Sequence, residues 1–273
     1  MDKNVFTIGS GSPNAMYFPV ASAICETYNK FSNLGYECSA ELSKGADFNL
    51  ISVENGGFDF GITQESLFDD SKYGIGKFSK PHQNLDKLFG LHYEYLTIIA
   101  KKDSEIKQFS DLFGKSVNVG NFGSGSKILF EQMIDTYGKT FDDFKNVYYE
   151  SGSDIKKVLC APGKADAAVY IVGHPNQSFD DMLRECDTHF ISLPKEEISK
   201  FLKISPDYFF KTQIDEGLYF GQQKTDTFAV GTVLFVSKKI NKEIVADLID
   251  VLNQNKNYLI GIQPSLEKVD FKF

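Results

Sequence analysis

Arginine is almost missing from this chain: Arg184 stands alone against 28 lysines. The guanidinium fork is the usual bidentate clamp for a carboxylate or phosphate, so an anionic ligand here needs other donors. Arg184 itself lies in "FDDMLREC", which reads as a surface helix. Net positive charge is absent too, with a formal charge of -8 and a pI near 5.1, which argues against nucleic acid, whose phosphates need clustered Lys and Arg. No apolar run approaches the roughly 20 residues that cross a bilayer. "MDKNVFTIG" leads almost directly into a strand without a basic-then-apolar signal segment, so the chain is expected either to be cytosolic or to have lost a leader. Cys25, Cys38, Cys160 and Cys186 show no CxxC spacing, which removes the usual zinc and dithiol signatures; disulfides and buried thiols remain equal alternatives. His82, His92, His174 and His189 have no metal spacing, and no Ser-His-Asp order is recognisable. The adjacent acids Asp69-Asp70, Asp142-Asp143 and Asp180-Asp181 read as solvated turns. Neither an enzyme nor a cofactor or metal is expected.

What the chain does have is a repeated plan. "VFTIGSGS" at 5–12 resembles "VNVGNFGSGS" at 117–126, and "NGGFDFGITQ" is echoed by "PGKADAAVYIV". Each copy reads strand, helix, strand, helix, strand, which predicts an α/β architecture with mainly parallel sheets flanked by helices. Met16, Val20, Ala23, Ile24, Thr27 and Phe31 share one helix face, as do Leu129, Met133, Ile134 and Tyr137. Two β-rich runs, 88–104 and 227–240, each lead into a Lys-Lys segment. If they return to the first copy, the chain forms two lobes joined by a two-strand hinge: residues 1–103 and 227–273 as lobe 1, and 104–226 as lobe 2.

The segment "VNVGNFGSGSKILF" tests whether the second turn holds nucleotide phosphates. Gly120 and Gly125 have the phosphate-loop spacing, but Ser126 stands where the lysine belongs, and Lys127 is followed by Ile128, which has no hydroxyl for magnesium. What remains is the general attraction of a helix N-terminus for a small anion. In open parallel sheets ligands bind outside the carboxyl ends of the strands, so the turns Gly9–Ser12 and Gly123–Ser126 are expected to face each other across a ligand cleft.

Four segments, in order, resemble the TAXI-type solute-binding receptors of TRAP transporters, also called immunogenic proteins. "IGSGSPNAMYFP" resembles the family's Gly-x-Gly, spacer and Tyr-Tyr/Phe-Pro. "SKGADFNLISVENGGFDFGITQES" resembles Gly-Ser-x-x-Asn-Leu followed by Gly-x-x-Asp-x-Gly-x-x-Gln-x-Asp. "VNVGNFGSGS" is similar to Val-Asn-Val-Gly-x-x-Gly-Ser-Gly-Thr, and "KADAAVYIVGHPN" to Asp-Ala-x-x-x-x-x-Gly-x-Pro-Asn. Departures occur at Asn14, Ala15, Ala21, Ser66 and Ser126. The resemblance implies a type II periplasmic binding protein fold, a monomer, and a small carboxylate ligand such as glutamate, a 2-oxoacid or a dicarboxylate. It also implies a periplasmic location and delivery to a TRAP membrane permease. A receptor for an inorganic oxyanion or other solute of an ABC-type transporter is the second reading, and a nucleotide-binding enzyme the third.

Candidate ligand-binding residues follow from the turns and the motifs. Ser10 and Ser12 sit on the first turn, and Ser124 and Ser126 on the second, where capping a helix is the competing role. Asn121 and Gly123 join them as backbone donors. Tyr17 opens the first helix, Gln64 ends the strand "FDFGIT", and His174 ends the strand "DAAVYIV". Tyr93 and Tyr219 are candidates for an aromatic wall, against the default of core packing.

Overall fold

The computed structural model describes residues 4–13, 15–160, 164–267 and 269. Asn14, one of the departures above, lies outside these residues. The chain forms two compact units, residues 1–92 with 231–273, and residues 93–230. The divisions fall at His92/Tyr93 and Val230/Gly231, inside two long strands, whereas the expected boundaries at 103/104 and 226/227 lie near those strands' ends.

The first unit begins with β1 (Asn4–Gly9), α1 (Tyr17–Phe31), β2 (Tyr36–Glu41), α2 (Ala46–Glu54), β3 (Phe60–Gln64), α3 (Glu65–Tyr73) and the start of β4 (Leu85–Lys101). β1 pairs parallel with both β2 and β3, the pattern that two right-handed βαβ crossovers produce. On α1 the predicted stripe is real: Met16, Val20, Ala23, Ile24 and Thr27 are buried, and Cys25 bonds to Cys38 on β2.

The second unit repeats the plan with β5 (Ser116–Asn118), α4 (Gly125–Asp135), β6 (Asn146–Tyr148), α5 (Ile155–Leu159) and β7 (Ala167–Val172). β5 pairs parallel with β6 and β7, and β4 joins β7 antiparallel. There follow α6 (Gln177–Glu185), β8 (Thr188–Phe190), α7 (Lys195–Phe201), β9 (Phe210–Ile214) and β10 (Thr225–Ser237). Cys160 and Cys186, at the ends of α5 and α6, form the second disulfide, so among the described residues no cysteine is free. Leu129, Met133 and Ile134 of α4 are buried with Phe109, Phe130 and Phe201, each such side chain contributing about 1.5–3 kcal/mol.

Past Gly231, β10 pairs antiparallel with β3. α8 (Lys242–Gln254) and α9 (Lys256–Ile262) then pack on α1, and the Ser32 hydroxyl donates to Asp247 of α8 at 2.5 Å.

The repeat extends to side chains. Asp59, just before β3, accepts a hydrogen bond from Thr7 N–H of β1 at 2.9 Å; Asp166, just before β7, accepts one from Ser116 N–H of β5 at 2.8 Å. These aspartates, aligned in the two sequence copies, tie the third strand to the first in each unit.

Candidate functional site

In the first unit the carboxyl end of the parallel strands carries the turn 9–16. Ser10 is fully buried, and its hydroxyl donates to the Glu41 carbonyl at 2.6 Å. Its own carbonyl accepts from Ser43 Oγ and Asn49 Nδ2 at 2.9 and 2.7 Å. Ser10 therefore fastens the end of β1 to the end of β2 and to α2. The Ser12 carbonyl accepts from Ala15 N–H at 3.0 Å, and α1 opens behind Met16 with no side-chain cap. The capping role weighed for the serines of this turn is not the one they play.

Tyr17, the first residue of α1, is buried with its ring edge-on to His92, centroids 5.9 Å apart. Gln64 closes β3 at the same edge and is buried. Across the antiparallel pair it faces Thr232 of β10, whose hydroxyl donates to the His92 carbonyl at 2.7 Å and lies 3.3 Å from His92 Nδ1. Gln64, Thr232 and His92 thus form one polar row over β3, β10 and β4, with Tyr17 beside it. Burial pushes the His92 imidazole down to about 3, so it is neutral at physiological pH.

In the second unit the turn between β5 and α4 is shaped by Gly120 and Gly123, both at φ 85°. Ser124 is the N-cap of α4: its oxygen accepts from Lys127 N–H at 3.3 Å and its hydroxyl donates to the Asn121 carbonyl at 2.7 Å. The Asn121 side chain donates to the Phe122 carbonyl at 3.1 Å. Gly125 and Ser126 are the first residues of α4, and a helix offers no carbonyl a turn earlier for such N–H groups. Asn118, at the end of β5, steadies the turn from beneath, accepting from Glu150 N–H at 2.8 Å and donating to Tyr170 Oη at 2.5 Å.

Ser126 serves a second purpose that its motif did not disclose. Its oxygen accepts from Ile171 N–H of β7 at 3.0 Å, and Ser126 is buried. Beyond the last β5–β7 pair, this hydroxyl takes over the ladder bond of β7. Lys127, the residue one place late for a phosphate loop, forms an ion pair with Glu131 at 2.6 Å. Exposed Phe122 stacks on Tyr149 at 4.3 Å beside it.

His174 and Tyr219 lie in the second unit in one closed network. Thr97 Oγ1 donates to the Tyr95 carbonyl at 3.1 Å, so it accepts from His174 Nε2–H at 2.8 Å. His174 Nδ1 then accepts from the Tyr219 hydroxyl, whose oxygen accepts from Asn176 N–H at 2.7 Å. Every donor in this chain has its acceptor, and the imidazole pKa is pushed down to about 3 by burial. Both ring nitrogens are engaged, so the two residues act as a brace for the turn before α6. Tyr93 is exposed and meets Phe210 edge-on at 5.0 Å; its neighbour His92 is the buried one. Arg184 pairs with Asp180 at 2.9 Å on the surface of α6.

Sequence reasoning did not single out His92 or Asn118 as site residues. The signal for His92 was the alternation of β4: His92 and Glu94, two apart and on one face, are both buried, between the buried Leu91 and Leu96. Among the described residues no cluster of His, Cys, Asp and Glu suits a metal, and no helix is long and apolar enough to cross a membrane.

The periplasmic binding protein BugD superposes with a TM-score of 0.60 at 12% identity, over 98% of this chain and 87% of that one. The periplasmic aliphatic sulphonate binding protein SsuA from Escherichia coli gives 0.53 at 13%, over 97% and 77%. The substrate binding protein of an amino acid ABC transporter gives 0.50 at 17%, over 94% and 97%. At such identities the likeness is one of fold, a mixed sheet flanked by helices as in periplasmic binding proteins. The model of the NMT1-like family matches residues 8–272, and the chain belongs to that family.

Proposed function

We propose that this protein is an extracytoplasmic receptor that binds a small organic anion and presents it to a membrane permease, with the two compact units as its lobes. The observation that carries the reading is the second turn. Gly120 and Gly123 fold it back so that the start of α4, an eleven-residue helix, offers N–H groups at the carboxyl edge of β5, with Lys127 close by. The fold supports a binding role, since the similar structures include an aliphatic sulphonate binding protein and the substrate binding protein of an amino acid ABC transporter. The two disulfides fit an oxidising compartment. Three of the four turn serines point away from catalysis: the hydroxyls of Ser10 and Ser124 donate to backbone carbonyls and that of Ser126 is engaged with β7. His174 is held by Thr97 and Tyr219.

The four motif resemblances favour a carboxylate ligand and a TRAP-type permease. An ABC-type partner is the second reading, favoured by the amino acid ABC transporter protein among the similar structures. Either partner leaves the receptor chemistry unchanged. Replacing Gln64 by Ala is expected to weaken solute binding about tenfold, the worth of one good hydrogen bond, with the chain still folded. Titration calorimetry on the purified variant checks this; unchanged affinity removes Gln64 from the site.

A further inference from the structure

We infer that His92 is a specificity-determining residue of the first unit, presenting a bare Nε2 lone pair that selects solutes carrying a hydrogen-bond donor, an amine or hydroxyl, next to the anionic group. The inference rests on the receptor reading above and narrows its substrate class. Two facts fix the tautomer. The Thr232 hydroxyl has one hydrogen, and it goes to the His92 carbonyl at 2.7 Å. The contact of 3.3 Å between Thr232 Oγ1 and His92 Nδ1 is then favourable only if Nδ1 carries the proton. The opposite tautomer sets two lone pairs against each other at that distance.

With the proton on Nδ1, Nε2 is an acceptor, and in this fully buried position it has no hydrogen-bond partner among the described residues. His92 is 4% exposed. A buried acceptor without a donor is unfavourable, and a ligand donor relieves it. The imidazole is held neutral by burial, so it does not reverse its role by taking up a proton near neutral pH. The row Gln64–Thr232–His92 lies where β3 ends, at the carboxyl edge of the parallel strands and beside the first residue of α1. A sulfonate or a fully ionised sulfate has only acceptors, and setting one against Nε2 leaves both groups unpaired. A carboxylate alone fails for the same reason. An amino acid or a hydroxy acid satisfies Nε2 with its amine or hydroxyl hydrogen.

The test uses matched pairs that differ only in that donor: glutamate against glutarate, malate against succinate, lactate against propionate. Titration calorimetry on the intact wild-type chain is expected to show at least about tenfold tighter binding for the donor-bearing member of the pair that binds best. His92→Phe keeps a ring beside Tyr17 and removes the lone pair; it should erase this ratio, the donor-bearing member losing more affinity than its donor-free partner. Equal affinities within each pair in the wild type overturn the inference but leave the receptor reading standing, and that comparison needs no variant. Equal losses for both members in His92→Phe reduce His92 to a structural role. Failure of every organic and inorganic anion to bind the wild type overturns the receptor reading and this inference together.

Discussion

Gly120→Ala is expected to lower stability by about 2–5 kcal/mol and to abolish the shape of the second turn. Gly120 has φ 85°, a left-handed conformation that costs an L residue roughly 1–2 kcal/mol. A Cβ there would stand 2.9 Å from both Ser124 Oγ and Ser126 Cβ. Those atoms cannot retreat cheaply: Ser124 caps α4 and Ser126 holds Ile171 of β7. Crowding of this kind adds about 1–3 kcal/mol. Gly35 provides the control, because it has the same φ of 85° but open space around its Cβ. Thermal or urea denaturation of the two variants separates backbone strain from the clash. If Gly120→Ala is no less stable than Gly35→Ala, the tight turn described here is wrong.

Acid should destabilise the protein well before its carboxylates titrate. All four histidines are depressed by burial, His92 and His174 to about 3, and His82 and His189 in the same direction. The unfolded chain binds protons at these rings below about pH 6.5 whereas the folded chain does not, so stability is present above that pH and is lost as pH falls. Each strongly depressed ring costs up to about 1.4 kcal/mol per pH unit. His92 and His174 together are expected to remove about 3–5 kcal/mol between pH 6.5 and 4.5, a large share of the 5–15 kcal/mol usual for a protein. Asp143, Asp154 and Asp180 are lowered by their cationic partners and add a loss in the same direction at lower pH. Asp70, raised by burial and by Asp69, works the other way. Urea denaturation at pH 7 and pH 4.5 measures the difference, and His92→Phe should flatten the slope. Equal stability at the two values would mean that these rings are not buried as neutral groups.

The parts of this molecule that follow from period and spacing were legible in its sequence. The βαβαβ repeat, the start of α1 at Tyr17 and the turn at 120–126 all rest on local signals: alternation, a helical stripe and glycines placed where φ turns positive. Less legible were the uses of the polar side chains, because their partners lie far along the chain. Nothing near Ser126 announces Ile171, and nothing near His174 announces Thr97 or Tyr219. The pairing of Cys25 with Cys38 and of Cys160 with Cys186 likewise depends on which helix ends meet which strands. Tyr93 drew attention as an aromatic, yet strand alternation buries its neighbour His92. The repeat aligns Asp59 with Asp166, but their shared use, binding the third strand of each unit to the first, shows only in the folded chain.

The receptor account stands or falls on whether the folded chain binds a small organic anion. A ligand that binds only the native state raises its melting temperature by mass action, so a thermal-shift screen of the dialysed protein reports binding without presuming a reaction. Amino acids, hydroxy acids, 2-oxoacids, dicarboxylates, phosphate, sulfate and ATP form the panel. The account predicts a selective, saturable shift with one class of organic carboxylate and no turnover of ATP; a shift with ATP alone, accompanied by sustained hydrolysis, would contradict it.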